Sequence, residues 1–328
     1  MKKRVLFICQ DETMPSSRIR VRNLVPEMKL YGILAEVIDY PKTLSGKSIL
    51  LKRLKESDIV YLQKKLLSYY EVLLFRNNSS KLVFDFDDAI YNRDDTHKSF
   101  FSLSRYIKFK RIVTKADMVI AGNALLAAYA SGLNHNTFIL PSAVETRNMP
   151  VKDYGCSSDE TVIGWVGGKG NLHHLRAIST VLRRLAQTYS IQLNIVSNAP
   201  ISIDGVRIQN IPWSLETQEA EIALFDIGVM PMPDNKWTAG KCGYKAIQYM
   251  ASGVTVVCSD VGGNRDIVEN GKEGFVVSTL EDFYRALETL IRNPELRREM
   301  GGNARRKAEE RFSIPVVASK LASILNRL

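Results

Sequence analysis

The stretch AGKCGYKAIQYMASGVTVV (Ala239–Val257) joins a helical pattern to a short apolar strand, and this succession predicts the fold. At 100° per residue, one face of the helix is apolar and suited to a core, and it carries Tyr244, Ile247, Met250 and Ala251. The valine-rich run that follows is typical of a buried strand. A helix that leads into a buried strand indicates βαβ units and a parallel sheet.

Lys241 and Lys245 lie in the first turn and a half of this predicted helix, on one stripe with Gln248. The N-terminus of a helix carries unpaired N–H groups and the positive end of the peptide dipole, so lysines there are locally unfavourable. A bound anion would offset this cost. The alternative is that the lysines belong to the solvated face of an ordinary helix.

Apolar runs of strand length alternate with amphipathic segments on both sides of this stretch. The runs are RVLFICQ, AEVIDY, DIVYLQ, KLVFDFD, DMVIAGN and NTFILPS in the first half, and TVIGWVG, IQLNIVS, DIGVMPM, GVTVVCS and GFVVS in the second. Between the halves, ETRNMPVKDYGCSSDET (Glu145–Thr161) is polar and rich in turn formers, so we interpret it as a linker. We therefore expect an α/β protein with two doubly wound, Rossmann-like domains, residues 1–145 and 155–310.

Composition narrows the class of protein. The chain has 328 residues, 45% of them hydrophobic and 24% charged, with a formal charge of +10 that favours anionic partners. No helix-turn-helix, zinc spacing or aromatic-basic module indicates nucleic-acid binding. No apolar run is long enough for a membrane span, and the N-terminus does not fit a signal peptide, so we expect a cytoplasmic protein. The dispersed cysteines fit reduced, packed thiols: Cys9, Cys156, Cys242 and Cys258.

Ligands of open parallel sheets bind at the carboxyl ends of the strands, and the loop after the first strand is polar. This loop, QDETMPSSRIR, leads into a helix for which Ser16 or Ser17 is the expected N-cap. Arg18 and Arg20 follow just inside the helix, so cations again lie at a helix start. A pair of solvated surface arginines is the alternative.

A second loop, GWVGGKGN, follows the first strand of the second half. Gly167 and Gly168 allow the backbone to turn tightly and to approach a ligand, and Lys169 adds a positive charge before the next helix. The spacing of the glycines matches neither the dinucleotide fingerprint nor the phosphate loop of nucleoside triphosphatases. Three helices of this chain are thus predicted to begin with basic residues. A diphosphate bound by all three would explain this pattern.

The segment FDIGVMPMPDNKWTAGKCGYKAIQYMASGVTVVCSDVGGNRDIVENGKEGFVV resembles the donor-binding segment of family 4 glycosyltransferases, the retaining enzymes of the GT-B fold. It is most similar to a bacterial branch with the pattern G-K-C-x-x-K-x-x-Q-Y-M-A, and IGWVGGKGNLHHL, IPWS and FDFDDAIYNR are similar to the same branch. The resemblance implies two Rossmann-like domains that face each other across a cleft, the second holding a nucleotide sugar. It also implies that the last helix, residues 313–328, returns to the first domain.

The resemblance implies a glycosyltransferase that moves a sugar, with retention of configuration, to a glycan or lipid-linked acceptor in cell-surface polysaccharide assembly. As the nucleoside diphosphate leaves the sugar, negative charge develops on its phosphates, and lysines and backbone N–H groups stabilise this charge. The implied diphosphate ligands are Arg18, Gly167, Gly168, Lys169, Lys241 and Lys245. We expect the ribose at Gln248, the base at Trp213 and Ser214, and no cofactor or metal ion.

The chain departs from the family in its E-x7-E signature. Gly240 stands at the position of the first glutamate, which often helps to hold the sugar, and Gln248 stands at the second, which generally binds the ribose. An amide can still form hydrogen bonds with two hydroxyls.

The motif FDFDDA contains three aspartates like the metal-binding carboxylates of the other glycosyltransferase fold. Because lysines are available for the phosphates, we expect no metal here. Alternation along the strand predicts that Asp85 is inside the sheet, whereas Asp87 and Asp88 emerge in the acceptor domain to bind hydroxyls or to accept a proton. His97 is a weaker candidate for the same role. Capping of the next turn is the alternative for the aspartates.

Other functions stay open at this stage. GT-B-like folds also serve nucleotide-sugar epimerases, and a non-catalytic nucleotide-sugar-binding protein would keep the lysine stripe.

The segment KSFFSLSRYIKFKRIVTK (Lys98–Lys115) mixes aromatic and basic residues at helical spacing. Such a segment fits peripheral contact with an anionic membrane. The alternative is that its aromatic side chains pack on the sheet while its cations are solvated.

Overall fold

The computed structural model describes residues 2–155 and 159–328, so Cys156 lies outside the described residues. The chain forms two compact units. The first comprises Met1–Ala143, Ala239–Cys242 and Phe312–Leu328, and the second comprises Val144–Thr238 and Gly243–Arg311. The short segment Ala239–Cys242 therefore belongs to the first unit, although the residues on both sides of it belong to the second.

The first unit is built on a six-stranded sheet of order β2-β1-β3-β4-β5-β6. Every neighbouring pair in it is parallel. The strands are β1 (Lys3–Cys9), β2 (Ile33–Asp39), β3 (Ile59–Gln63), β4 (Lys81–Phe86), β5 (Met118–Ala121) and β6 (Thr137–Ile139). The helices are α1 (Pro15–Ser17), α2 (Val25–Met28), α3 (Leu44–Glu56), α4 (Tyr69–Asn78), α5 (Leu103–Lys115), α6 (Ala124–Ser131) and the C-terminal α14 (Ile314–Leu325).

The second unit has a parallel six-stranded sheet of order β12-β11-β10-β7-β8-β9. Its strands are β7 (Thr161–Val166), β8 (Ile191–Ser197), β9 (Ile208–Pro212), β10 (Ile227–Met230), β11 (Thr255–Ser259) and β12 (Gly274–Val277). Its helices are α7 (Leu172–Arg176), α8 (Ser179–Ala186), α9 (Gln218–Ala223), α10 (Tyr244–Ala251), α11 (Asn264–Ile267), α12 (Leu280–Arg292) and α13 (Pro294–Arg311).

These two parallel sheets confirm the predicted α/β fold. Each of the eleven predicted strands overlaps an observed one, and β9 is the strand that the apolar pattern missed. It lies at the edge of its sheet and leaves most of its side chains at least partly exposed, so it lacks a long apolar run.

The C-terminal helix α14 completes the hydrophobic core of the first unit. Val317 and Leu321 are buried there in one cluster with Val5 and Phe7 of β1. Lys3 Nζ also donates a hydrogen bond to the carbonyl oxygen of Asn326 at 3.2 Å. The helix therefore stabilises the start of the chain by apolar burial.

Two helix starts differ from the prediction. Helix α10 begins at Tyr244, because Gly243 has a φ of +62° and interrupts the helical backbone, so Lys241 is not on the helix. Helix α1 begins at Pro15 after Met14, so neither Ser16 nor Ser17 is its N-cap. Proline suits the first helical position because the backbone N–H that it lacks would have no acceptor within the helix there.

The predicted linker is an ordered part of the second unit over its described residues. Thr146 and Met149 are buried, and Lys152 Nζ lies 3.1 Å from Asp226 Oδ1. The Tyr154 hydroxyl donates to the carbonyl oxygen of Gly253 at 2.8 Å. The polar residues of this segment therefore form ion pairs and hydrogen bonds that hold it in place.

We predict that Leu321→Ala lowers the free energy of unfolding by about 2–5 kcal/mol, because it leaves a cavity in the core under α14. Urea unfolding followed by circular dichroism measures this. Val316→Ala, at a two-fifths exposed position of the same helix, is the matched control and should have a much smaller effect, about 0.5–1 kcal/mol. Equal effects of the two substitutions would contradict the packing described for α14.

Candidate functional site

In the second unit, polar groups lie where β7 and β8 end. The chain turns after Val166, and the N–H of Gly167 donates to the carbonyl oxygen of Val196 at 3.0 Å. The N–H of Lys169 donates to Asn198 Oδ1 at 2.7 Å. These bonds hold the glycine-rich loop in place at the carboxyl end of the sheet, where ligands of such folds bind.

Lys245 lies in the first turn of α10, beside the same loop. Its Nζ is 4.0 Å from the centroid of the Trp165 ring, and Trp165 is fully buried on β7. A Cβ atom built on Gly167 would come within 2.6 Å of Lys245 Nζ, so the ammonium group lies directly against the loop. An aromatic face attracts a cation without neutralising it. The helix N-terminus, the loop N–H groups and this ammonium group together form a positively polarised site.

A second group of polar side chains in this unit lies where β9 ends. Trp213 is two-fifths exposed, and its Nε1 donates to Gln218 Oε1 at 3.0 Å. Gln248, on α10, is buried, and its Nε2 donates to the same oxygen at 3.4 Å. Ser214 Oγ accepts the N–H of Thr217 at 3.1 Å and therefore closes a turn. The structure thus brings Trp213 and Gln248 together through Gln218, which was not among the predicted site residues.

The first unit has its own cluster of charges at the carboxyl end of β4. Lys64 Nζ is 2.9 Å from Asp87 Oδ1 and also contacts Asp88 Oδ2. Lys241 Nζ is 2.9 Å from Asp88 Oδ1. The carboxylates and Lys64 are largely buried, whereas about a quarter of the Lys241 side chain is exposed. Asp87 and Asp88 are therefore held by lysines rather than left to cap the next turn.

The pKa values in this cluster favour charged groups. Burial alone would raise the pKa of Asp88, but the ammonium groups of Lys64 and Lys241 outweigh it and lower this pKa to about 2. Burial works to lower the pKa of Lys64, and the two carboxylates outweigh it and hold this pKa above its ordinary value. An ionised Asp88 accepts hydrogen bonds well and is a weak base.

Lys241 reaches this cluster because its chain segment is anchored in the first unit. Cys242 Sγ donates to the carbonyl oxygen of Asp87 at 3.0 Å, and burial raises the pKa of this thiol well above its ordinary value, so it stays protonated. Asn123 Nδ2 donates to the carbonyl oxygen of Lys241 at 3.0 Å. A Cβ atom on Gly240 would lie 2.5 Å from the N atom of Ala89. The position of the first glutamate of E-x7-E therefore has no room for a side chain here.

The remaining predicted residues lie elsewhere. Asp85 is fully buried, as expected, and it forms an ion pair with the buried Arg20. The charge of Arg20 is therefore compensated inside the first unit. Arg18 lies in a π-helix (Arg18–Arg22) and is partly exposed. His97 is exposed, with Nδ1 2.9 Å from Asp94 Oδ1. Sequence reasoning missed Lys64, although its place directly after β3 was the signal that could have identified it.

Part of the chain is similar in sequence to known proteins. Residues 160–293 match the model of the family described as "Glycosyl transferases group 1". Spore coat protein SA of Bacillus subtilis is 31% identical over 81 residues, which are 24% of this chain and 22% of that protein. The capsular polysaccharide biosynthesis glycosyltransferase CapM of Staphylococcus aureus is 33% identical over 86 residues, which are 26% of this chain and 23% of that protein. The matched part thus spans less than a quarter of these curated relatives.

Among solved structures, Alr3699/HepE of Anabaena in complex with UDP and glucose superposes with a TM-score of 0.74 and 15% identity. The alignment covers 99% of this chain and 100% of that one. At this identity the likeness shows the fold, which is the two-unit α/β architecture of GT-B glycosyltransferases. Over the described part of the chain, no helix combines the length and the hydropathy needed to cross a bilayer.

We predict an acid-dependent loss of stability from Asp88. Its pKa in the fold, about 2, is below the value of 3.8 for an unperturbed aspartate, so its ion pairs stabilise the fold above pH 4 and are lost as the pH falls through 2. The difference in free energy of unfolding between wild type and Asp88→Asn should be about 2 kcal/mol at pH 6 and should shrink below pH 4. Urea unfolding at a series of pH values measures it.

The matched control for this series is Asp204→Asn, at an exposed position of the second unit. It should change the free energy of unfolding by about 0.5 kcal/mol or less. A difference between wild type and Asp88→Asn that stays constant from pH 6 to pH 2 would contradict the charge cluster.

Proposed function

We propose that the protein is a nucleotide-sugar-dependent glycosyltransferase whose second unit binds the donor. The observation that carries this proposal is the Lys245 ammonium group, held over the buried Trp165 ring at the start of α10 and against the glycine-rich loop. A diphosphate fits this site because it meets a cation, loop N–H groups and a helix N-terminus together. The family match of residues 160–293 supports the same assignment.

The proposed chemistry is cleavage of the bond between the sugar and the diphosphate. Negative charge grows on the departing phosphate, and we assign its stabilisation to Lys245, the Lys169 side chain and the N–H of Gly168. The N–H of Gly167, which the sequence also proposed, already donates to the carbonyl oxygen of Val196. We give Lys245 the larger part of this task because its ammonium group lies directly against the glycine-rich loop. Because fixed cations supply the charge that a divalent ion would otherwise supply, we propose a reaction without a metal ion or cofactor.

In the first unit we propose that Asp87 and Asp88 bind hydroxyl groups of the acceptor. The low pKa of Asp88 supports hydrogen-bond acceptance rather than proton transfer by this residue. His97 is a proposed further contact to the acceptor, and Arg18 is a proposed phosphate-binding residue of the first unit. We also propose retention of configuration, as in family 4, and a glycan or lipid-linked acceptor of cell-surface polysaccharide assembly.

We predict that at least one of UDP, GDP, ADP and CDP stabilises the protein against thermal unfolding in the presence of EDTA. The most stabilising nucleotide identifies the base of the donor. At 100 times its Kd, a nucleoside diphosphate should add about 2.7 kcal/mol to the free energy of unfolding. Lys245→Ala should weaken binding of the best one by about 1.5–3 kcal/mol in calorimetric titration, because a charge-assisted hydrogen bond is lost. Lys272→Ala, at an exposed lysine paired with Glu269, is the control and should bind like the wild type.

No change in unfolding temperature with any of the four nucleotides, or equal affinities of Lys245→Ala and Lys272→Ala, would count against the donor site.

Incubation with a nucleotide sugar separates a glycosyltransferase from an epimerase and from a non-catalytic binding protein. Free nucleoside diphosphate should be released only when an acceptor is added, whereas an epimerase would change the sugar without any acceptor and a non-catalytic binding protein would release none.

We further propose peripheral contact of the first unit with an anionic membrane. Tyr70, on α4, is 80% exposed, and Phe101, two residues before α5, is 64% exposed. Helix α5 packs against α4 and carries exposed cations. The guanidinium of Arg111 lies 5.0 Å from the Tyr69 ring centroid, so the aromatic and basic groups meet. Phe109 differs from this group, because it is buried in the core against Phe86.

We predict that the protein sediments with vesicles containing phosphatidylserine at low salt. Reversing the charges of Lys110, Arg111 and Lys115 together should abolish sedimentation, since each cation contributes about 1 kcal/mol near an anionic surface. The control reverses Lys2, Lys29 and Lys272, three exposed lysines outside α5. Binding that is the same for neutral vesicles, or for both triple variants, would favour an acceptor in solution.

A further inference from the structure

Two hydrogen bonds converge on the side-chain oxygen of Gln218. Trp213 Nε1 donates to Gln218 Oε1 at 3.0 Å, and Gln248 Nε2 donates to the same atom at 3.4 Å. An indole N–H can only donate, so Gln218 must turn its oxygen, and not its nitrogen, toward Trp213. The atom of Gln248 that meets this oxygen must then be its nitrogen. One indole group therefore sets the orientation of two amides.

This orientation determines which atom of Gln248 remains for a ligand. The Gln218 and Gln248 side chains are about 95% buried, which makes an unpaired polar atom costly. One N–H of Gln248 Nε2 is engaged by Gln218, so the position of its Oε1 is fixed, and none of the residues that the structure describes donates a hydrogen bond to this oxygen. Position 248 therefore presents a hydrogen-bond acceptor, which a donor such as a ribose hydroxyl complements.

Three structural elements hold this arrangement. The N–H of Trp213 donates to the carbonyl oxygen of Ser197 at 3.0 Å, which fixes Trp213 at the ends of β8 and β9. Gln218 is the first residue of α9, and its N–H donates to the carbonyl oxygen of Ser214 at 3.2 Å. Gln248 belongs to α10, the helix that also carries Lys245. The side chains thus meet from separate, hydrogen-bonded positions rather than from one mobile loop.

We propose that Gln218 is a positioning residue for recognition of the donor's ribose. It makes the amide at position 248 an acceptor for a ribose hydroxyl, and it fixes the edge of the Trp213 ring beside the base. This inference rests on the proposed function. It also accounts for glutamine at position 248, because a carboxylate there would place two acceptor oxygens against each other across the same 3.4 Å contact.

The experiment compares a ribonucleoside diphosphate with its 2′,3′-dideoxy analogue. Both are titrated calorimetrically into the full chain, using whichever of UDP, GDP, ADP and CDP binds most tightly. The wild type should bind the ribonucleotide more tightly than the analogue by roughly fivefold or more, the size of one net hydrogen bond. Gln218→Leu should reduce this ratio to about twofold or less by weakening only the ribonucleotide, because Gln248 loses its fixed orientation.

Rescue by a conservative variant separates positioning from packing. Gln218→Glu keeps an acceptor oxygen for both donors and should keep the ratio of the wild type. Glutamate and leucine are both close to glutamine in size, so a packing role would leave the ratio unchanged in both variants. Gln187→Leu, at an exposed glutamine after α8, is the matched control and should also keep the ratio. A wild-type ratio in Gln218→Leu, or loss of the ratio in Gln218→Glu, would overturn the inference. A wild type that binds none of the four nucleotides would instead overturn the proposed function.

Discussion

The backbone of Gly243 is the constraint on which the arrangement of charges depends. Its φ of +62° lies in the left-handed region, which residues with a side chain adopt only with strain. A Cβ atom there would also come within 2.3 Å of Ile267 Cδ1. This residue ends the anchored segment Ala239–Cys242 and allows α10 to begin at Tyr244. Lys241 and Lys245, four residues apart, therefore take part in different interactions instead of sharing one helical face.

Each lysine has a distinct chemical environment as a result. Lys241 reaches the Asp88 carboxylate in the first unit, where opposite charges compensate each other in a largely buried cluster. Lys245 lies over the Trp165 ring in the second unit, where an aromatic face positions the ammonium group. The first environment fits a site that binds hydroxyl groups, and the second fits a site that binds phosphate. In our proposal, Gln218 adds recognition of the nucleoside to the second site through its hydrogen bonds with Trp213 and Gln248.

Much of the fold could be predicted from the sequence because buried parallel strands are apolar runs bounded by turns. The edge strand β9 was missed for the same reason, since its exposed side chains do not form such a run. Periodicity placed Gln248 correctly on α10 but extended the helix to Lys241, because helical spacing alone does not detect a left-handed glycine. Lys64 and Gln218 could not be found by motif, since their importance comes from partners distant in sequence: Asp87 and Asp88 for Lys64, and Gln248 for Gln218.

The central claim is that the diphosphate of a nucleotide sugar binds on the Lys245 side of this arrangement. A crystal structure of the protein with the tightest-binding nucleoside diphosphate tests it most directly. The account predicts phosphate oxygens within hydrogen-bond distance of Lys245 Nζ and of the N–H of Gly168, with a ribose hydroxyl donating to Gln248 Oε1. Phosphates bound instead at Lys64 and Lys241, with Lys245 remote from the nucleotide, would contradict it.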